Sequence, residues 1–308
     1  MRKGGGVLIC LLLLFATGCV KDTRPFGVFI GADPENIGVM DGYQTVVIDA
    51  AYYSQEEISG LRGDAYIGAR TDARGDLSDD GRTDERAYLS DDSRADGKTI
   101  YSYLNAGSLE TFRPYYDRFE QYTLDGYYGW PGEYWMDITQ PDWQDFVVDE
   151  LAAALCEKGV DGFFIDNFDV YYNYPDEVVY TSAINILDRL KKQYGLYIII
   201  NGADTFVERL IEGDHFSLID SDDHLSLIDA VNQECVFTAI DFDGNTLNAQ
   251  QPEDTQYYME YLDRCAAAGL RVFLTEYTKS ASLSKKIKDY CEQNGFDYYI
   301  SPNIELNG

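Results

Sequence analysis

Eight short apolar runs punctuate the chain from Phe26 to its C-terminus: 26–31 (FGVFIG), 45–50 (TVVIDA), 99–104 (TIYSYL), 161–166 (DGFFID), 196–201 (LYIIIN), 227–232 (LIDAVN), 271–276 (RVFLTE) and 297–301 (DYYIS). Runs this short and this rich in Val, Ile, Phe and Tyr read as strands buried on both faces, which is the condition of a parallel sheet covered by helices. The intervening segments carry helical period. Residues 142–158 space Trp143, Phe146, Val147, Leu151, Ala154 and Leu155 along one face, with Gly159 as a stop signal. Segments 178–193 and 255–268 read the same way. The pattern predicts an α/β fold, a single-domain (β/α)8 TIM barrel over residues 26–308. A doubly wound open sheet fits the alternation nearly as well, but no Gly-rich phosphate fingerprint follows the first run, and the barrel is favoured.

Two segments stand outside that pattern. Arg2 and Lys3 precede an apolar run from Val7 to Ala16, too short to span a bilayer and of the length of a secretory h-region. Small residues then lead into Cys19, a sequence resembling a bacterial lipobox. Residues 1–18 are thus expected to be a lipoprotein signal peptide, Cys19 the lipidated residue, and 19–25 a linker, placing the protein outside the cytoplasm on a membrane through a lipid anchor alone. The second segment, 71–97, reads as an insertion between the second helix and the third strand. Within it TDARGDLSDDGR (71–82) recurs as TDERAYLSDDSR (83–94), too charged to add core. Asp76, Ser78, Asp80 and Gly81 have loop-like spacing, yet Ala87 stands where a calcium loop needs its bidentate Glu. A shorter echo, 215–220 and 224–229, contains both histidines, His215 and His224. Both echoes fall between a helix and a strand, at the rim opposite the one that carries barrel active sites. Cys156, Cys235, Cys265 and Cys291 show no zinc spacing, and no metal or cofactor is expected.

Charge narrows the chemistry. Against 24 Lys and Arg stand 54 Asp and Glu, a net −30 that repels nucleic-acid phosphates and suits a polycationic partner. In a barrel the strand C-termini and the loops after them share one cleft. Those positions hold Asp49, Glu110, Asp166 with Asn167 and Asp169, Asn201, Glu234 and Glu276. Neither histidine follows a strand end, so Ser/His and Cys/His nucleophiles lack a base and acid chemistry falls to carboxyl groups. Two carboxyl groups are what glycosidic bond cleavage requires. The loops add flat aromatic surfaces that can stack on sugar rings, above all in the clusters 127–135, with Trp130, and 171–174, with Tyr171; Tyr52 lies just past the second strand.

Taken together, Tyr103-Leu-Asn-Ala-Gly-Ser-Leu-Glu110, Phe112-Arg113, Trp130-Pro-Gly-Glu-Tyr-Trp135 and Gly159-Val-Asp-Gly-Phe-Phe-Ile-Asp166-Asn-Phe-Asp-Val-Tyr171 resemble the endo-α-1,4-polygalactosaminidases of glycoside hydrolase family GH114. The resemblance runs from Val46 to Pro302-Asn303, interrupted by the tandem repeat. It implies a metal-free (β/α)8 hydrolase of α-1,4-linked galactosamine exopolysaccharide, a cationic polymer when deacetylated. It makes Asp166 the nucleophile and Glu234 the general acid/base. Glu110, Arg113, Glu133 and Asp169 are then expected to position substrate, the carboxylates meeting its ammonium groups. Asp49, Asn201, Tyr52, Trp130, Asn167 and Tyr171 complete the expected substrate-binding set. The residues by themselves also leave open a lipid-anchored barrel that captures polysaccharide without cutting it, and a hydrolase of another aminosugar glycan.

Overall fold

A computed structural model describes residues 24–63, 97–213 and 226–308. Residues 1–18, expected to be a signal segment, Cys19, residues 71–96 of the expected insertion, His215, Asp220 and His224 lie outside the described residues.

Eight parallel strands form one sheet in chain order: β1 (Arg24–Phe29), β2 (Tyr43–Ile48), β3 (Thr99–Asn105), β4 (Gly162–Asp166), β5 (Tyr197–Asn201), β6 (Ala230–Glu234), β7 (Arg271–Tyr277) and β8 (Asp297–Ser301). The last strand returns beside the first. Phe29 of β1 meets Tyr299 of β8 with ring centroids 5.2 Å apart, and Gly31 N–H donates to the Leu306 carbonyl at 3.3 Å. The result is the nearly closed (β/α)8 barrel that the eight runs predict. Its strand interiors are fully buried, as in Val46–Ile48, Phe163–Ile165 and Ile198–Ile200, because helices cover the outside and side chains fill the inside.

The surrounding helices include α1 (Gln55–Arg62), α2 (Glu177–Tyr194), α3 (Asp204–Glu212), α4 (Pro252–Ala267) and α5 (Ala281–Asn294). A reciprocal capping box starts α1: Ser54 Oγ accepts from Glu57 N–H at 3.2 Å, and Ser54 N–H donates to Glu57 Oε2 at 2.7 Å. The predicted 142–158 helix is present, but its middle, Phe146–Ala152, is a wider π turn between Pro141–Asp145 and Ala153–Lys158. The wide turn begins where Trp143 and Phe146 both pack on Phe119, at 5.2 and 4.6 Å, a tertiary demand that helical period does not reveal. Cys265 and Cys291 are buried thiols in α4 and α5.

The sixth strand begins three residues later than its apolar run. Asp229, at the foot of β6, instead accepts from Ile198 N–H at 2.7 Å and pairs with Lys191. Asp161 does the same two strands earlier, accepting from Ile100 N–H at 2.9 Å and pairing with Arg62 at 2.8 Å. Both aspartates thus satisfy strand N–H groups at the rim away from the cleft.

Two excursions rise from the opposite rim. After β3 comes a small antiparallel sheet of Ser108–Glu110, Glu133–Met136 and Thr123–Gly126, with the middle segment shared. After β6 comes a hairpin, Thr238–Asp241 with Thr246–Ala249.

Candidate active site

Every barrel strand from β3 to β7 ends in a polar side chain at the same rim: Asn105, Asp166, Asn201, Glu234 and Tyr277. Alternation along a strand sends every second side chain inward, so β6 points Asn232 and Glu234 into the barrel while β7 points Thr275 and Tyr277. Hydrogen bonds join these inward groups. Asn201 Nδ2 donates to Asp166 Oδ1 at 2.8 Å and to Glu234 Oε1 at 2.9 Å. Tyr277 Oη donates to Glu234 Oε2 at 2.6 Å. Burial pushes the carboxyl groups of both Asp166 and Glu234 above the ordinary range. For Asp166 the negative charge of Glu234 adds to that, while the Asn201 bond opposes it. For Glu234 the bonds from Tyr277 and Asn201 are the opposing influence. A pair coupled this closely titrates as a unit and holds one proton above the ordinary carboxylate range.

The backbone turns left-handed directly after β4, β5 and β6: Asn167 has φ 69°, Cys235 φ 59°, and Gly202 and Ala203 φ 61° and 53°. The chain leaves each strand abruptly and the last side chain stays in the mouth. Residues other than glycine hold such angles only where the surroundings enforce them. Asn167 is held by its own side chain, whose Nδ2 donates to Ser108 Oγ at 2.9 Å and Glu133 Oε1 at 3.0 Å. Its carbonyl lies where a Cβ on Gly107 would be, 1.7 Å away, so residue 107 must be glycine for the two loops to touch.

Glu133 stands beside the pair. Its Oε1 accepts from Ser108, Asn167 and Asn105, and burial pushes its carboxyl up to about 7. Asp169 is likewise pushed up to about 7 by burial, against a bond from Ala203 N–H to its Oδ1 at 3.1 Å. Farther toward β2, Arg113 forks between two buried carboxylates, Asp49 Oδ2 at 2.7 Å and Glu110 Oε1 at 2.9 Å. Exposed Tyr52 and Phe112 flank that guanidinium with ring centroids 5.8 and 5.0 Å from its carbon.

Trp130 and Tyr128 meet Phe242, near the tip of the hairpin after β6, at centroid distances of 5.7 and 6.3 Å. The Phe242 ring occupies the space a Cβ on Gly129 would need, 2.7 Å away, so the two excursions lean together over one side of the mouth. Among the described residues no cluster of His, Cys, Asp and Glu is arranged to hold a metal ion.

The sequence profile of glycoside-hydrolase family GH114 matches residues 75–306. This chain belongs to glycoside hydrolase family GH114. No curated protein sequence matches it significantly. In fold it is similar to the glycoside hydrolase domain of PelA from Pseudomonas aeruginosa, with TM-score 0.66 and 15% identity over 93% of this chain and 96% of that one. It is also similar to Ega3 of Aspergillus fumigatus, solved in complex with galactosamine, with TM-score 0.60 and 18% identity over 93% of this chain and 94% of that one.

Within this GH114 barrel the sequence-predicted residues divide. Asp166, Asn201, Glu234, Glu133 and Asp169 gather at the centre, and Asp49, Glu110, Arg113 and Tyr52 form a group beside it. Asn167, which follows Asp166, is 3% exposed, its amide committed to Ser108 and Glu133. Tyr171, expected at the cleft, is 7% exposed; its ring packs on Tyr180 and Phe206, and its hydroxyl accepts from Arg209 at 2.7 Å. Four residues past β4 the chain has already turned into a short helix, whose inner face is core. Glu276, a strand-end carboxylate by sequence, points out of the barrel and accepts from Phe237 N–H and Thr238 N–H at 2.9 and 3.0 Å, anchoring the hairpin base. Its neighbour Tyr277 is the one that reaches the site; the twofold alternation of β7 was the signal, had the inward parity been known. Sequence reading also passed over Asn232, and it read Tyr127 only as one loop aromatic among several. Burial raises the Tyr127 phenol, and the charges of Asp166, Asp169, Glu133 and Glu234 raise it further.

Proposed function

We propose that this GH114 hydrolase cleaves α-1,4-linked galactosamine-containing exopolysaccharide by a two-carboxylate, retaining mechanism, with Asp166 as nucleophile and Glu234 as general acid/base. The observation that carries the reading is the shared Asn201 amide. Two oxygens bonded to one nitrogen at 2.8 and 2.9 Å lie within about 5.7 Å of each other, the two bonds laid end to end. Oxygens this close favour the carboxyl spacing of about 5–5.5 Å of a retaining enzyme over the spacing of about 6.5–9.5 Å that inverting enzymes leave for a water.

In the first step Glu234 protonates the glycosidic oxygen as an Asp166 oxygen attacks the anomeric carbon; the C–O bond to the leaving sugar breaks and a glycosyl ester forms. In the second, Glu234 takes a proton from water, whose oxygen attacks the same carbon and releases the Asp166 carboxylate. Raised pKa values at the pair suit an acid that must still carry its proton near neutrality. Glu133 and Asp169, with the Asp49–Arg113–Glu110 group, give a cleft of net negative charge suited to ammonium-bearing sugars. The chain's net charge of −30 and the galactosamine bound in the Ega3 structure support the same substrate class. Trp130, Tyr52 and neighbouring exposed rings offer stacking faces.

The test is incubation of deacetylated α-1,4-galactosamine oligomers with the wild type and Asp166→Asn, read by mass spectrometry. Shorter oligomers with wild type alone are expected; intact oligomers with wild type reject the reading. One observation favours the reverse roles. Glu234 accepts two side-chain donors and Asp166 one, which stabilises the anion on Glu234 more. Trapping with a 5-fluoro galactosaminyl fluoride, followed by peptide mapping, places the ester on Asp166 or on Glu234 and decides between them.

The same proposal includes export and anchoring through Cys19, supported by Arg2-Lys3, the apolar run 7–16 and the small residues before the cysteine. Among the described residues no helix is long and apolar enough to cross a membrane. Palmitate labelling of the expressed protein, lost in Cys19→Ser, is the expected result; labelling that survives the substitution removes the anchor.

A further inference from the structure

Asn201 can serve two carboxylates only if its amide is turned the right way, and nothing in its own shape decides this. An amide presents one NH2 and one carbonyl of nearly equal size. With NH2 toward Asp166 and Glu234 it donates twice; turned over, it sets a carbonyl oxygen against two carboxylates. The orientation that the carboxylates favour is held from behind by further hydrogen bonds. Asn232, the direct cross-strand neighbour of Asn201 on β6, donates from its Nδ2 to Asn201 Oδ1 at 2.7 Å. Asn232 Oδ1 in turn accepts from Thr275 Oγ1 of β7 at 2.9 Å. Asn232 and Thr275 are both 0% exposed, so no bulk water can replace either bond. Each link leaves the next one a single arrangement: the carboxylates demand a donor from Asn201, Asn201 then needs a donor from Asn232, and Asn232 needs one from the Thr275 hydroxyl.

We infer that Thr275 and Asn232 are positioning residues that fix the Asn201 amide and thereby set the protonation of the Asp166–Glu234 pair. The inference deepens the proposed reaction and rests on it for its kinetic readout only. Neither residue touches the reacting atoms. What they supply is a one-way chain of donors across β7, β6 and β5, ending on both acids. Other groups bear on the pair as well: the carboxyls of Glu133 and Asp169, the phenols of Tyr103, Tyr127 and Tyr277, and the thiol of Cys235. The hydrogen bonds of the Asn201 amide run to Asp166, Glu234 and Asn232, so a change confined to Thr275 acts on the pair through the relay.

The experiment compares wild type, Thr275→Val, Thr275→Ser and Asn232→Leu in two ways. One is the pH dependence of kcat and KM on deacetylated galactosamine oligomers. The other is a substrate-free 13C titration of the Asp and Glu side-chain carboxyls. Valine keeps the shape of threonine and removes the hydroxyl; serine keeps the hydroxyl. With the terminal donor gone, Asn232 Oδ1 loses its partner, the amide chain is held less firmly, the hydrogen bonds donated to the pair weaken, and its carboxyl groups hold their protons to higher pH. The expected result for Thr275→Val is a kcat lower by about tenfold with KM within about twofold, and an acidic limb moved up by about half a pH unit to one unit, the scale of one lost hydrogen bond. Thr275→Ser restores both. Asn232→Leu gives the larger effect of the same sign and carries the test if Thr275→Val does not fold. Unchanged limbs and unchanged carboxyl titrations in folded variants overturn the relay, as does a Thr275→Ser variant as impaired as Thr275→Val. If wild type leaves the oligomers intact while Thr275→Val moves the carboxyl titration, the relay stands and the proposed substrate falls.

Discussion

Asp166 and Glu234 accept hydrogen bonds from one and the same nitrogen, Nδ2 of Asn201, at 2.8 and 2.9 Å. The choice of an amide for this bridge matters. A lysine there would neutralise the pair and draw both pKa values down, whereas a neutral donor holds two acids at a fixed separation and leaves their mutual repulsion, with burial, to keep a proton on one of them. Removing either acid should therefore abolish cleavage without harming the fold. Asp166→Asn and Glu234→Gln are each expected to lower kcat by about a thousandfold or more. In thermal melts at pH 7 both should unfold at or above the wild-type temperature, because each substitution removes an ionisable group from a buried pair whose second charge is costly to form. A variant that is inactive and also melts well below wild type would point to a structural role for that carboxylate instead.

Three other buried carboxyls, Glu133, Asp169 and Glu276, are each pushed up to about 7 by burial. Their folded values lie above their unfolded ones, so the stability they contribute is fully present below about pH 4 and is lost as pH rises through about 7. Urea midpoints should accordingly fall between pH 6 and pH 8. Asp169→Asn, which keeps an oxygen for the Ala203 N–H, should flatten that slope; a slope identical to wild type would show that Asp169 does not titrate there.

Arg113 and Tyr52 should separate stability from binding. Arg113 is 8% exposed and is the counter-ion of Asp49 and Glu110, so Arg113→Ala leaves two buried carboxylates without it and should cost about 3 kcal/mol or more in guanidinium unfolding. Tyr52, 56% exposed over the same guanidinium, should tolerate alanine within about 0.5 kcal/mol while KM for oligomers rises several-fold.

The left-handed turn at Ala203, φ 53° and ψ 36°, stores strain that glycine would release. Ala203→Gly is expected to change stability by less than about 1 kcal/mol, since relief of strain is offset by the freer unfolded chain, yet to lower kcat by loosening Asn201 two residues before it. Equal kcat in the two proteins, measured at saturating oligomer, would mean the turn does not hold the amide.

The leaning of Phe242 against Gly129 makes a test of length dependence. Phe242→Ala and Trp130→Ala should raise KM for long oligomers more than for short ones, as expected when stacking faces away from the bond being cut are lost. An equal effect on all lengths would place these rings against the sugars next to the cleaved linkage.

Much of the barrel was legible because its cause is local. Strands β4 and β5 are apolar up to Ile165 and Ile200 and end on a polar residue, Asp166 and Asn201, which fixes both their burial and their upper ends. β6 was read three residues early because Leu227 and Ile228 are as buried as a strand but belong to the turn beneath it. Tyr171 and Glu276 were drawn to the cleft by their distance from a strand end, when the direction of each side chain was set by a helix that starts at once and by the parity of β7. Asn232 and Thr275 gave no signal, since a buried Asn and a buried Thr inside apolar runs look like any satisfied polar residue.

The order of hydrophobic and polar residues along the chain was sufficient for eight buried strands, their covering helices and the acids at the strand tips, since burial and alternation act on near neighbours. Which of those acids meet is a matter of strand parity and stagger around a closed ring. That information is held by contacts between β5, β6 and β7, residues 31 to 43 positions apart in pairs such as Asn201–Asn232 and Asn232–Thr275, and only the folded barrel brings them into one line of hydrogen bonds.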